Sequence, residues 1–578
     1  MAPPAASSEA VTAAFPAFTR SQKVFTMLGA LLGLLLAALD QTIVATAGPS
    51  IQADLGIPPS LYPWLTTSYL VASTMTVPVW GKLSDVLGRR AVLAAGILVF
   101  LAGSFLCGVS RSTVTLILFR AVQGLGSAAL FTGSLAVVAD LFPPRERGKY
   151  QGLFGAVFGL SSVVGPLAGG FITDRLGWHW VFFINLPVGA VALALVLLRM
   201  PRLRPSGVER GRLDWPGALA LALAVVPLLL GLSLGRTGEQ ARDGFGWTWG
   251  SWQILGMFAL AALGTALFFH AERRAEEPLL DLRLFRQRTF SVANLAVFII
   301  GAVFLSGVVF LPLFMVNVVG LSATHSGLTL TPLTLGVVTG NVVSGQLVSR
   351  LGHYKPLMLG AQVLLMVGFA VMGFTLTTHS TQAEVTVKMV LVGLGLGPSI
   401  PLYTLAIQNA VPPQRIGVAT SAATFFRQLG MTLGVALLGT VFSTTLGHQL
   451  RAGVARAAQG LPPALMRELA SAAPGTGGEG GHAQAAFHAD DLKARVRQEF
   501  AAERQRAGDP ASVDARERQA LEAVDRAGEA VKVAFTRAVE NVYRCAILIA
   551  LLALLVTLRM PEQPLRRTMG REPPAESS

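Results

Sequence analysis

Fourteen apolar stretches of about twenty residues follow one another along the chain, separated mostly by short polar loops. Windows of about nineteen residues place them near 24–47, 63–81, 91–109, 114–139, 151–172, 181–199, 216–235, 252–270, 290–315, 325–348, 356–377, 386–410, 416–446 and 537–558. Each is long enough to cross about 30 Å of hydrocarbon as a helix, the one open-ended structure that satisfies its own backbone there. The pattern therefore predicts an all-α polytopic membrane protein. The tenth stretch is diluted by Thr and Ser, and the fourteenth opens with Glu540, Asn541 and Arg544.

An internal repeat organises these spans. The loop G-K-L-S-D-V-L-G-R-R after the second aligns with G-Q-L-V-S-R-L-G-H-Y-K after the tenth, so that Gly81, Leu83, Leu87 and Gly88 match Gly345, Leu347, Leu351 and Gly352. Repeat-built transporters carry their substrate site where the repeats meet, near the bilayer midplane. Two six-helix halves leave spans seven and eight as an inserted pair. The expected organisation is a disordered cytoplasmic tail (1–22), an N-terminal half (23–200), a linker with the inserted pair (201–275), a C-terminal half (276–558) and a second cytoplasmic tail (559–578).

Composition agrees, with 52% hydrophobic and 13% charged residues and a mean hydropathy of +0.57. A net charge of +14 would suggest a nucleic-acid partner in a soluble protein, but its distribution has a simpler cause. Basic residues gather in alternate loops, at Lys82, Arg89 and Arg90, at Arg145, Arg147 and Lys149, and from Arg199 to Arg212, Arg273 to Arg288 and Arg559 to Arg571. Arg111, Arg175, Arg236 and Arg242 are the main exceptions. The positive-inside rule then puts both termini in the cytoplasm and makes the number of spans even. The first span runs on for more than twenty residues after Lys23 without an A-x-A-like cleavage site, as an uncleaved anchor does. Cys107 and Cys545 both fall in spans, and no His/Cys cluster suggests a metal or a disulfide.

The segment 447–536 stands apart because it is charged and alanine-rich, split by P-G-T-G-G-E-G-G-H. By parity it lies outside the cell, and it reads as continuations of the last two spans joined into a helical hairpin. Long loops translocate regardless of charge.

Asp40, in L-A-A-L-D-Q-T-I-V, is the only carboxylate well inside a span; Asp140, its nearest rival, sits at a helix end. An acid at the bilayer centre costs about 2.5–3.5 kcal/mol on insertion scales. Loss of hydration favours its neutral form, which suits a group that binds and releases a proton; a static polar anchor is the competing account. Arg120 enters span four to a comparable depth, so the two can meet as a switchable pair or a permanent one. Arg427, in F-F-R-Q-L-G, lies near the midplane of span thirteen with no second-half acid to pair with. Helix-end carbonyls are its expected partners, ahead of an anionic substrate group or a lipid head. Gln123, Asn294, Asn317, Asn341, Gln408 and Asn409 are polar candidates for the cavity or for inter-helix bonds.

These residues together resemble the major facilitator superfamily and, within it, the fourteen-spanner drug:proton antiporters of the multidrug efflux type. Leu39, Asp40, Thr42, Ile43, Val44 and Pro49 resemble the first-span motif, and Gly81, Asp85, Gly88, Arg89 and Arg90 the superfamily's cytoplasmic signature. Arg120, Gln123, Gly124 and Gly126 are similar to the fourth-span motif, and Gly159, Gly165, Pro166, Gly169 and Gly170 to the antiporter motif of span five. W-H-W-V-F-F-I-N-L-P-V-G from Trp178 and E-P-L-L-D-L-R-L-F-R from Glu277 look like further hallmarks. The resemblance implies proton relay at Asp40 and Arg120. It also implies a conformational latch at the signature, where Gly81 is expected to permit a tight turn and Val86 replaces a common basic residue. The span-five glycines are expected at the interface of the halves, tightly packed and bent at Pro166.

No Walker loop, metal cluster or paired nucleophile and base suggests an enzyme. The expectation is a monomeric, cofactor-free secondary transporter, driven by the proton gradient, in a bacterial cytoplasmic (inner) membrane. Its substrate is then a small hydrophobic or amphipathic compound or a lipid-like metabolite. A non-transporting sensor or scaffold is the alternative from another class.

Overall fold

A computed structural model of the chain describes residues 18–58, 61–201, 213–236, 247–321, 330–457, 489–504 and 510–565. Most of both expected tails, residues 202–212 of the basic loop, Arg242 and the glycine-rich 474–482 lie outside the described residues. Apolar runs become helices throughout. The first half comprises α1 (Arg20–Asp54), α2 (Trp64–Leu87), α3 (Arg89–Gly108), α4 (Thr113–Leu141) and α5 (Pro144–Leu176), and closes with the broken pair α6 (Trp180–Phe183) and α7 (Asn185–Arg199). Thr19 starts α1 with a capping box, its hydroxyl accepting the Gln22 N–H while the Gln22 side chain accepts the Thr19 N–H.

Next come α8 (Trp215–Leu234) and α9 (Trp252–Arg274), packed on each other and joined at one end by a two-residue parallel pair, β1 (Gly235–Arg236) with β2 (Trp247–Thr248). The second half holds α10 (Arg288–Asn317), α11 (Leu330–Leu351), α12 (Lys355–Thr375), α13 (Gln382–Leu396), α14 (Ser399–Asn409) and α15 (Ile416–Ala457). It ends with α16 (Ala489–Arg504) and the long α17 (Pro510–Leu558).

Twelve helices among the described residues are long and apolar enough to cross a membrane. The long helices α2 and α11 fall outside that set, and both precede the repeated loops. Their Ser, Thr, Asn and Gly positions have a structural reason: α2 packs on α15 and α11 on α5, so these two helices join the halves. Gly345 of α11 and Gly148 of α5 touch backbone to backbone, with no room for a Cβ on either.

At about 1.5 Å per residue, α17 is far longer than a bilayer is thick. Its N-terminal part packs against α16, where Val496 and Phe500 of α16 and Val524 of α17 are buried. This region thus contains a helix additional to the two continuations expected of a hairpin. The polar start of span fourteen is satisfied internally: Arg544 donates Nε–H to the Gly373 carbonyl at 2.8 Å, pairs with Glu540 at 3.2 Å and covers the Phe374 ring.

Candidate functional site

Asp40 is fully buried inside the N-terminal half, and its carboxylate is held by three side chains from two other helices. Arg120 of α4 donates Nη1–H to Oδ2 at 2.6 Å, while Gln123, one turn on, donates Nε2–H to Oδ1 at 2.8 Å. Asn185, the first residue of α7, donates Nδ2–H to the same Oδ1 at 3.2 Å and to the Ser104 hydroxyl at 3.0 Å. Arg120 also donates to the Gln123 Oε1 at 2.7 Å and to the Leu65 carbonyl of α2 at 3.0 Å, and its guanidinium lies over the Tyr69 ring at 4.4 Å. Arg120 and Gln123 meet one carboxylate because they are three residues apart on one face of α4. The cluster is a buried ion pair whose remaining lone pairs and donors are largely bonded, the condition under which such a pair is tolerated. Ser104 was not singled out from sequence, and Asn185 entered only as one position of the motif from Trp178. Asn185 was visible as a polar residue in the apolar run before Leu186 and Pro187.

Helix α1 carries this site to α5. Thr42, two residues after Asp40, donates to the Ser161 carbonyl at 3.0 Å, and a Cβ on Gly165 would overlap the Thr42 side chain. Gly169 packs on Ile43 and Thr46, whereas nothing lies within contact of a Cβ at Gly170. Gly165 and Gly169 therefore face α1 within their own half, not the opposite half as expected. The face that meets α11 is Gly148, Gly152, Gly155 and Gly159, against Gly345, Asn341 and Val338. Pro166 falls inside α5, directly after Gly165 in the set that faces α1.

The cytoplasmic-signature residues gather at the far end of α2. Asp85 accepts the backbone N–H groups of Gly417 and Val418, both at 2.9 Å, at the start of α15. Arg89 donates to Asp85 at 2.6 Å, to Ser84 at 2.9 Å and to Asp140 at 2.7 Å. Gly88 adopts φ +90°, so it makes the turn between α2 and α3. Gly81, expected there, is instead a helical residue; a side chain on it would strike Ser421, so its smallness serves close approach of the halves. Arg90 donates to the Leu197 carbonyl.

Further bonds tie the same ends together. Lys82 pairs with Glu277 at 3.1 Å, and Arg415 pairs with Asp281. Gln151 donates to Gln408 at 3.0 Å, and Gln408 donates to Thr420 at 2.9 Å. On the repeat-related seam, Ser349 occupies the position of Asp85, and polarity is reversed: Arg145 donates to the carbonyls of Ser349 and Arg350 at 2.9 and 2.7 Å, capping the end of α11.

The remaining candidates are scattered. Asn294 and Asn317 bond carbonyls one turn back on α10, at Phe290 and Leu313, and Asn409 ends α14 half-buried. Asn341 is buried against Gly155 without a side-chain hydrogen bond. Arg427 corrects the sequence expectation: among the described residues it bonds no carbonyl and no acid. Helices α10 and α15 pack too closely at Gly301, Gly430 and Gly434 for a side chain to lie between them. Its side chain instead lines a small pocket with Val297, Ile300, Phe304, Ser399 and Ile400.

Two six-helix halves joined by two seams, with an acid sealed in the first, have the architecture of a rocking transporter. Residues 30–435 match the family model described as Major Facilitator Superfamily. The chain belongs to the major facilitator superfamily. It is accordingly a transporter, not an enzyme, and a multi-pass membrane protein. Multidrug transporter protein MdtP of Bacillus subtilis (strain 168) is 39% identical over 431 residues, covering 75% of this chain and 77% of that protein. Multidrug resistance protein 3 of the same organism is 40% identical over 428 residues, covering 74% and 81%. The crystal structure of the human organic anion transporter MFSD10 (TETRAN) aligns with a TM-score of 0.53 at 18% identity, covering 73% of this chain and 94% of that one. It shares the fold.

Proposed function

We propose that this facilitator is a proton-coupled exporter, a drug:proton antiporter of small hydrophobic or amphipathic compounds. It works by alternating access through fourteen spans, as a monomer, in a bacterial cytoplasmic membrane with both termini inside. The relatives named for multidrug transport support the export of drug-like compounds. The observation that carries proton coupling is the bonded cluster of Asp40, Arg120, Gln123 and Asn185, sealed in a half that offers no other buried acid away from its helix ends.

Protonating Asp40 removes the charge that compensates Arg120. An uncompensated buried charge costs about 3–5 kcal/mol, so the guanidinium must strengthen other contacts or move. Those contacts are on α2, at Leu65 and Tyr69, and the opposite end of α2 carries Asp85 and its hold on α15. A shift of α2 driven at Arg120 thus loosens the seam at Asp85 some 30 Å away along one helix. Under the proposed topology the seam is cytoplasmic, and this conformation is the outward-facing one. Because Asp40 is sealed away from the second half, it exchanges protons against substrate through helix movement and not by touching the substrate.

The test is efflux of a fluorescent drug from proteoliposomes under an imposed pH gradient. The wild type is expected to respond to the gradient, while Asp40→Asn and Arg120→Ala reconstitute but do not respond. Gradient-independent efflux by the wild type sinks the proposal.

A further inference from the structure

Resting on the reading of this chain as an exporter of amphipathic compounds, we infer that Arg427 recognises the anionic group of an organic anion whose apolar body lies against α10 and α14. Two cations deep in these halves, the buried Arg120 and the half-buried Arg427, are treated differently. Arg120 is bonded to a carboxylate, an amide and a carbonyl, whereas Arg427 has no hydrogen-bond or ion-pair partner among the described residues. Eleven positions into α15, it lies roughly 17 Å from the start of that helix, about half the thickness of a hydrocarbon core. A guanidinium at that depth is costly unless paired, and it can neither lose its proton nor accept a hydrogen bond.

Its surroundings select the partner. Val297, Ile300 and Phe304 of α10 and Ile400 of α14 supply an apolar wall, and among the described residues that line this pocket Ser399 is the one polar side chain besides Arg427. Ser399 is also the first residue of the helix that resumes after the break at Gly397 and Pro398, where the helix dipole favours negative charge. The backbone around Arg427 is held rigidly: Cβ atoms on Gly301, Gly430 or Gly434 would overlap the facing helix. Asp40 does not compete for Arg427, because its two oxygens are engaged inside the other half. The second half therefore presents a fixed cation, a hydroxyl and an apolar surface, which together fit a carboxylate, sulfonate or phosphate attached to an alkyl or aryl body. Such a group can be borne by a soluble amphiphile or by a lipid.

The experiment compares two probes with the same body, dansyl-aminoundecanoate and dansyl-aminoundecylammonium, on the full chain in phosphatidylcholine nanodiscs without any gradient. Arg427→Gln is expected to weaken binding of the carboxylate by at least about tenfold, the scale of one lost charge-assisted hydrogen bond, and to leave the ammonium unchanged or tighter. Arg427→Lys is expected to recover part of the loss. Phosphatidylglycerol that displaces the carboxylate from the wild type but not from the Gln variant marks a lipid as the ligand; lack of displacement marks a soluble anion. Equal weakening of both probes, or no change in either, overturns the inference. Gradient-driven export in proteoliposomes is scored separately: loss of proton dependence with carboxylate selectivity intact refutes the exporter reading and not the role of Arg427.

Discussion

Asp85, near the end of α2 in the first half, accepts the backbone N–H of Gly417 at 2.9 Å, at the beginning of α15 in the second. A carboxylate there complements the helix dipole and occupies two unpaired amides, since the Val418 N–H is also bonded to it. Arg89 holds the carboxylate in place and is itself shared with Asp140. Asp85→Asn keeps the shape but loses the charge, so hydrogen bonds worth about 1.5–3 kcal/mol to a charged group fall toward neutral ones. The variant is expected to open this seam at least about tenfold more often. Spin labels at the facing ends of α2 and α15, with Cys107 and Cys545 replaced, read that population; an unchanged distance distribution counts against the clamp.

Gly159 gives a sharper test of the other seam. A Cβ there would overlap a Val338 methyl group on α11 but would lie 3.5 Å from the Val338 Cβ, an ordinary contact. Gly159→Ala alone is expected to wedge the halves apart and lower transport, and Val338→Ala in the same chain to restore it. The steric effect is then specific to one pair, and a double variant no better than the single one shows that Gly159 acts elsewhere.

Much of this was legible in the linear pattern because hydrocarbon permits few solutions. Apolar runs gave the helices, and Asp40 and Arg120 stood out as charges with comparable depths along their spans. What periodicity could not reveal is the rotation of each helix about its axis. That rotation sends Gly165 and Gly169 to α1 while Gly148 and Gly159 meet α11, turns Gly81 from a loop residue into a contact point, and frees Arg427 from carbonyls. The role of Asn185, part of the motif from Trp178, was hidden for a related reason: it arises only when the α6–α7 break is set beside α1, and that contact spans 145 positions of chain. The reversed polarity of the second seam was half-visible as Ser349 in the place of Asp85, yet its donor, Arg145, looked like one more inside-positive charge.

Charge balance around Asp40 predicts an asymmetry in stability. Arg120→Ala leaves a sealed carboxylate with only the amides of Gln123 and Asn185, at an expected cost of about 3–5 kcal/mol. Combining Asp40→Asn with Arg120→Gln removes both charges while retaining polar groups, and should recover most of that loss without recovering proton dependence. Thermal unfolding in detergent distinguishes the variants. A double variant as unstable as Arg120→Ala would mean that shape, not charge, governs the cluster.

The α16–α17 packing predicts that this charged region can loosen without disturbing the apolar helix bundle. Phe500 is buried on α16 together with Val496, whereas the polar links to α17, Lys493 with Asp525 and Arg504 with Asp514, are partly or fully open to solvent and contribute little. Phe500→Ala removes the largest apolar side chain of this contact, with a typical cost of about 3–5 kcal/mol for a buried aromatic. That approaches the whole local stability of a sixteen-residue helix held mainly by one face. Amide exchange across 489–504 and the facing part of α17 is expected to rise by orders of magnitude, while exchange at Val542, Ala546 and Ala550, buried within the membrane part of α17, stays slow. Faster exchange in both places would show instead that α16 and the start of α17 brace the second half, and that α17 unfolds as one unit from end to end.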